Sequence, residues 1–205
     1  MKWSGITADQ VSSQLSKLKP YKAPGLDGIL NIVLTKCADM LTCRPTHIYM
    51  CILELSLMFK PWKSFMTIVL CKPGKPRYDL PKAYKPITLL NTMWKVITAI
   101  VAEQLTHLAE KHNLLPANHF GGRPGCTTTD AMHLLNGTIK TSWRAGKVTS
   151  VLFLDIEGAF PNAVPSKLVH NLCKRRVPVK ITNFIRNMLH RRITTLKLTG
   201  SPWDP

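Results

Sequence analysis

Apolar residues recur along this chain with two periods, and the change from one to the other marks the elements. Val11, Leu15 and Leu18 share a helical face in residues 7–18, TADQVSSQLSKL, with Thr7 placed to cap the first turn and Pro20 to end it. Two more helical stretches, about 30–40 and 46–59, are separated at Pro45. Residues 92–111 carry Val96, Ile97, Ile100, Val101, Leu105 and Leu108 at helical spacing, and 127–143 reads as a helix opening on Thr or Asp. Ile181, Phe184, Ile185, Met188 and Leu189 follow the i, i+3, i+4, i+7, i+8 pattern opposite a basic face.

Strand signals fall between these helices. SFMTIVLC, about 65–71, runs into the basic turn Lys72-Pro73-Gly74-Lys75, and ITTLKLT (193–199) alternates. The apolar run VLFL at 151–154 reads as a short buried strand that delivers Asp155 at its exit. The predicted class is α+β, with a sheet that carries the acid. Two glycine-bearing loops, YKAPGLDGI (21–29) and LPANHFGGRPGC (115–126), interrupt the pattern.

Composition then narrows the function. With 45% hydrophobic and 19% charged residues in 205, the chain has the makings of a core and is not a disordered polyelectrolyte. Its charge is unusual: 28 Lys and Arg against 11 Asp and Glu give +17. No acid lies between Glu157 and Asp204, a span holding Lys167, Lys174, Arg175, Arg176, Lys180, Arg186, Arg191, Arg192 and Lys197. A solvated basic face is the plain reading; a surface for phosphate backbones is the better one, and it predicts salt-sensitive binding.

The six cysteines form no CxxC pair, and Met1-Lys2-Trp3-Ser4 does not open a signal peptide. Reduced thiols, mostly in the core, and an intracellular setting, nucleus or cytoplasm, are expected. Zinc at His47 and Cys51 with Cys37 or Cys43 is a minor alternative. Apolar runs are too short for a bilayer, so no membrane partner is expected.

Candidate chemistry is sparse. GGRPGCTTT lacks the lysine of a phosphate-binding loop, no GxGxxG occurs, and His107 and His112 do not form HExxH. No small-molecule cofactor is indicated. The segment CKPGKPRYDLPKAYKP gathers Lys72, Lys75, Arg77, Lys82 and Lys85 on one hairpin, which either is an exposed charged turn or folds over a triphosphate. Asp155 either caps the turn after its strand or, with the Ile156 carbonyl, offers the hard oxygens that Mg²⁺ prefers. Phe160 stands five residues on, where a ring can wall a sugar.

The motifs YKAPGLDGI, KPGKP…YKPITLLNTMWKV, NHFGGRPGCTTTDA and VLFLDIEGAFPNAV, in this order, resemble the reverse transcriptase domain of non-LTR, LINE-like retrotransposons. The resemblance runs from about residue 20 onward. It implies the fingers and partial palm of a right-hand polymerase: a leader at 1–20, fingers and their connection at 21–146, and palm at 147–205. By this resemblance Asp155 is a catalytic metal ligand and Ile156 lends its backbone carbonyl to Mg²⁺. Lys72 and Lys85 meet the incoming dNTP, and Phe160 excludes a ribose 2′-hydroxyl. RNA template and DNA primer are the implied partners, with Arg123, Lys174, Arg175, Arg176, Arg191 and Arg192 as candidate nucleic-acid contacts. Arg123 and Asp27 match signature positions with structural or template-facing roles.

Departures from the pattern are specific. Lys85 replaces the arginine of YRPI and loses its bidentate fork, Gly122 replaces an aromatic, and Pro161 stands where a second acid is frequent. The later Pro-Gln-Gly and Asp-Asp motifs do not occur, and the sequence stops at GSPWDP near where the first is expected. A fragment truncated before the Asp-Asp hairpin is therefore expected to be inactive alone, because two metals about 3.5–4 Å apart need more than one carboxylate. A non-catalytic RNA-binding remnant, or a maturase-like RNA-binding module, is the alternative.

Overall fold

The structure, a computed structural model, describes residues 3–159 and 162–198. Its α+β content is eight α-helices and one three-stranded sheet among the described residues. The helices are α1 (Ala8–Ser16), α2 (Asn31–Lys36), α3 (Ala38–Leu41), α4 (Cys43–Glu54), α5 (Thr92–Lys111), α6 (Thr128–Arg144), α7 (Pro165–Lys174) and α8 (Val179–Leu189). The strands are β1 (Ser64–Cys71), β2 (Tyr84–Leu89) and β3 (Ile193–Leu198). Two compact units emerge: residues up to Gln104 together with those from Pro165 onward, and Leu105–Val164.

Local chemistry sets the helix starts. Thr7 caps α1 in a capping box with Gln10, and Thr127 does the same for α6 with Asp130, each satisfying amides that lack an intrahelical partner. Pro45 does not break the second helical stretch. It sits in the first turn of α4, where its missing N–H costs nothing, and buries its ring. The division falls earlier, at Cys37 and Thr42. The sequence pattern gives no sign of α7, which opens directly on Pro165 and buries only Val169.

In the first unit the core is mainly aliphatic, with a cluster of aromatic rings packed into it. Tyr49 and Trp94 flank Trp62, with centroids at 6.4 and 5.6 Å, and Phe184 of α8 lies 5.4 Å from Trp94. The buried Tyr49 hydroxyl donates to the Met93 carbonyl at 2.8 Å, and burial pushes its pKa well above the ordinary range. Gln14 of α1 donates to Glu103 of α5 at 2.8 Å.

The sheet order is β2-β1-β3, with β2 antiparallel and β3 parallel to β1. Thr67 of β1 shares hydroxyl hydrogen bonds with Thr88 at 3.1 Å and Thr194 at 2.6 Å, which ties all three strands through one residue. The strand expected over 151–154 does not form, and the sheet carries no acid from that segment. Both edges of β1 are taken, and the run finds no ladder among the described residues; Leu152, Phe153 and Leu154 are 77–83% exposed. An unpaired strand gains neither ladder bonds nor burial, so it has no reason to persist.

The cysteines also differ from expectation. All six are free, but Cys43, Cys51, Cys71 and Cys173 are exposed and Cys37 and Cys126 half-buried. On α4 the buried positions are Pro45, Tyr49, Ile52 and Leu53, which leaves Cys43 and Cys51 on the other faces. No helix is long and apolar enough to cross a membrane among the described residues.

Candidate functional site

The lysine-bearing hairpin is laced shut. The Lys72 amide donates to the Ala83 carbonyl at 2.8 Å, where β1 and β2 diverge, and its Nζ donates to the Lys82 carbonyl at 2.9 Å. Tyr78 donates to the Lys72 carbonyl at 3.0 Å, and Tyr84 to that of Tyr78 at 2.7 Å. Arg77 grips Asp79 with both arms of its fork and holds that carboxyl below the usual range. Lys72 is thus pinned beside the loop it closes. Lys85 stands opposite Leu70 in the β1–β2 register and is exposed.

The loop GLDGI docks on the start of α5. A Cβ on Gly25 would lie 2.3 Å from Asn91 Oδ1 and 2.5 Å from its backbone nitrogen, so only glycine fits. Asp27 accepts from the Ile29 amide at 3.2 Å, turning the loop. Asn31 donates to the Lys19 carbonyl at 2.8 Å and accepts from Thr92 at 2.7 Å. Burial lowers the Lys95 pKa, and the nearby Asp27 opposes that shift. Through these contacts the signature loop seats the start of α5.

Arg123 belongs to the second unit. Its Nε and Nη2 donate to the two carboxylate oxygens of Glu110 at 2.9 and 2.7 Å, and Nη1 reaches the Pro116 and His119 carbonyls at 3.2 and 3.3 Å. The guanidinium is directed into the glycine-rich loop, clasping it to the end of α5. The pair holds Glu110 below, and Arg123 above, the ordinary range.

Asp155 is exposed in the same unit, and its Oδ1 accepts from the Ile156 amide at 2.9 Å. Beyond it the chain turns at Gly158, with φ at 66°, and the Asn162 amide closes onto the Gly158 carbonyl at 2.9 Å. Asp155 and the Ile156 carbonyl are hard oxygen donors, the type Mg²⁺ takes, so the donor set fits one side of such an ion. No group of three His, Cys, Asp or Glu suited to a metal forms among the described residues, which leaves the zinc alternative without a site. Phe160 lies outside the described residues.

The basic carboxy-terminal region forms the helical hairpin α7–α8 and β3. Lys174 ends α7 and Arg175 and Arg176 occupy the turn, while Arg191 precedes β3 with a left-handed φ of 51°. Arg192 stacks on the Phe65 ring at 4.5 Å, and burial lowers its pKa. Arg192 is therefore partly a packing residue. Lys180 is turned away from the turn: it pairs with Glu54 and lies 4.7 Å over the Trp3 ring.

Residues 71–202 match the family described as "Reverse transcriptase (RNA-dependent DNA polymerase)". The chain is 25% identical over 196 residues to the "Probable RNA-directed DNA polymerase from transposon BS" of Drosophila melanogaster, covering 96% of this chain and 21% of that protein. It is 30% identical over 151 residues to the corresponding protein of the same species' transposon X-element, covering 74% of this chain and 16% of the relative. The "RNA-directed DNA polymerase from mobile element jockey" is 24% identical over 197 residues, with 96% and 21% covered. The chain thus spans about a fifth or less of the length of these curated relatives.

Proposed function

The chain belongs to the reverse transcriptase family, among the RNA-directed DNA polymerases of non-LTR retrotransposons, and on that premise we propose that it supplies the fingers and first part of the palm of such a polymerase. The observation that carries this reading is the family match over 71–202, which spans the hairpin lysines, the Arg123 loop and Asp155 in one stretch. On this reading the leader is residues 1–20, the fingers and their connection are 21–146, and a partial palm is 147–205.

In the complete enzyme Asp155 and the Ile156 carbonyl hold Mg²⁺ from one side. When bound, the ion supplies Lewis-acid stabilisation of charge on phosphoryl oxygens. The chain's own side chains do the rest of the positioning. Lys85 presents a point charge to the triphosphate of the dNTP, and Lys72 sets the shape of the loop beside it. Phe160 excludes a 2′-hydroxyl by bulk. The basic carboxy-terminal hairpin tracks the phosphates of RNA template and DNA primer.

Asp155 by itself does not hold a metal pair, so the 205-residue chain alone is expected to bind nucleic acid without extending a primer. The test is primer extension with Mg²⁺, in the parent polymerase and in this chain. In the parent, Asp155→Asn should lower extension by about a thousandfold or more. Extension by the isolated chain that Asp155→Asn abolishes would overturn its inactivity. Full extension by the Asn variant of the parent would remove Asp155 from catalysis. Salt-sensitive RNA binding by a parent protein with no Mg²⁺-dependent dNTP binding would favour the RNA-binding remnant or maturase-like module instead.

A further inference from the structure

A cavity of about 650 Å³ lies between α7 and the end of α8. One wall is the face of α7 that carries Val169 and His170, and the other is formed by Arg186, Leu189 and His190, which follow the i, i+3, i+4 spacing of a single helical face. α8 stops at Leu189. His190 then turns extended, and Arg191 takes a left-handed φ of 51°, a conformation that costs a residue other than glycine, before β3 begins at Ile193. This bend leaves Arg191 on the wall of the same cavity.

The lining is divided chemically. Val169, 8% exposed, and the half-buried Leu189 supply apolar surface. His170 and His190 bring one imidazole ring from each side, and Arg186 and Arg191 bring two guanidinium groups. Arg186 spends Nη1 on the Asn183 side-chain carbonyl at 2.8 Å, whereas Arg191 makes no hydrogen bond or ion pair among the described residues. No carboxylate lines the cavity, and Glu54, the acid of α4, is taken by Lys180. Two cations on one cavity without a counter-charge repel each other, and an anion held between them relieves that repulsion.

We propose that this cleft takes one nucleotide unit, its base against the imidazole rings, Val169 and Leu189, and its phosphate on the guanidinium groups of Arg186 and Arg191. A bare phosphate would leave the apolar surface and the rings unused, and an apolar ligand would leave the arginines unanswered. A nucleotide meets both: bases stack on histidine rings and guanidinium planes, and phosphate oxygens match the arginine fork. Clefts of roughly 300–1,000 Å³ with apolar walls and a few convergent polar groups are the usual form of a small-ligand site. The cleft is built within the first compact unit, whereas Asp155 belongs to the second. The source of the nucleotide rests on the polymerase reading above: a single-stranded RNA is favoured over a free mononucleotide.

Two variants remove ligand groups while sparing the fold. Arg191→Gly places glycine where the left-handed backbone favours it, and His170→Ala puts a strong helix former at an exposed position of α7. Both should melt at or above the temperature of the parent chain. The ¹⁵N-labelled full chain is titrated at constant ionic strength with adenosine 5′-monophosphate, and separately with adenosine and with inorganic phosphate. Saturable shifts are expected at the amides of Val169, His170, Leu189 and His190, with adenosine and phosphate each bound about tenfold more weakly than the nucleotide. Arg191→Gly should weaken the nucleotide about tenfold and leave adenosine unchanged. His170→Ala should weaken nucleotide and adenosine about fivefold and leave phosphate unchanged. A merely structural role for either residue would not split the ligands in this way.

A short oligoadenylate RNA is then added. Displacement of the nucleotide by RNA identifies a strand as the source, and nucleotide binding untouched by RNA identifies a free mononucleotide. Phosphate bound as tightly as the nucleotide, no saturable shift at these amides, or variants that bind as the parent does overturn the site. RNA binding that persists in that event leaves the nucleic-acid reading standing, whereas nucleotide binding by a chain that binds no RNA keeps the cleft and removes that reading.

Discussion

Single side chains here separate two duties that a motif alone does not distinguish. Arg123 and Lys72 both stand at signature positions, and both spend donors on their own loops. Arg123 and Glu110 make a pH-dependent clasp. The Glu110 carboxyl lies below its usual value in the folded chain, so its contribution is present at neutral pH and is lost as pH falls through the folded value. Melting temperature should therefore drop below about pH 4.5, and Glu110→Gln should flatten that acid limb while lowering the neutral plateau. Equal acid sensitivity in the two chains would show that other carboxylates dominate. The identity of Arg123 was legible in the GGRPG motif, but its partner was not, since Glu110 lies thirteen residues away on another element.

At the scale of elements, close backbone approach decides what the motifs do. Gly25 abuts Asn91 so tightly that Gly25→Ala should cost roughly 1–3 kcal/mol through forced displacement of the start of α5. Denaturant unfolding of this variant measures it, and a midpoint unchanged from the parent would mean that the loop yields freely. Helices were legible where both a cap and an apolar face were present: Thr7 and Thr127 begin α1 and α6 as expected, and the apolar spacing of 92–111 matches α5 from end to end. Pro45 misled because proline forbids only an interior turn, and in a first turn it is compatible with helix. α7 was missed because its start at Pro165 shows no polar cap and its buried contribution is one valine.

For the molecule as a whole, charge is the property that reaches furthest. If Lys174, Arg175, Arg176, Arg191 and Arg192 contact phosphates, affinity for single-stranded RNA falls linearly on a log–log salt plot, and each contact removed reduces the slope by about 0.7. Binding measured across salt for Lys174→Ala and Arg191→Ala checks this, and slopes identical to that of the parent would move the interface elsewhere. Arg192→Ala should additionally disturb the sheet, because its guanidinium covers Phe65. Local order along the chain, written in caps, apolar spacing and four ordered motifs, sufficed to determine most helices, the strands β1 and β3, the basic region at 167–197 and the family. Those features depend on near neighbours, which the sequence displays directly. Only the tertiary structure decided that β3 pairs in parallel with β1, that residues 151–154 stay outside the sheet, that Arg123 clasps Glu110, and that the Thr182 hydroxyl is buried with no hydrogen-bond partner among the described residues. Each of those outcomes depends on which distant segment satisfies a given hydrogen-bonding group or apolar face, and a strand, an arginine or a hydroxyl has the same sequence signature whether or not that partner is found.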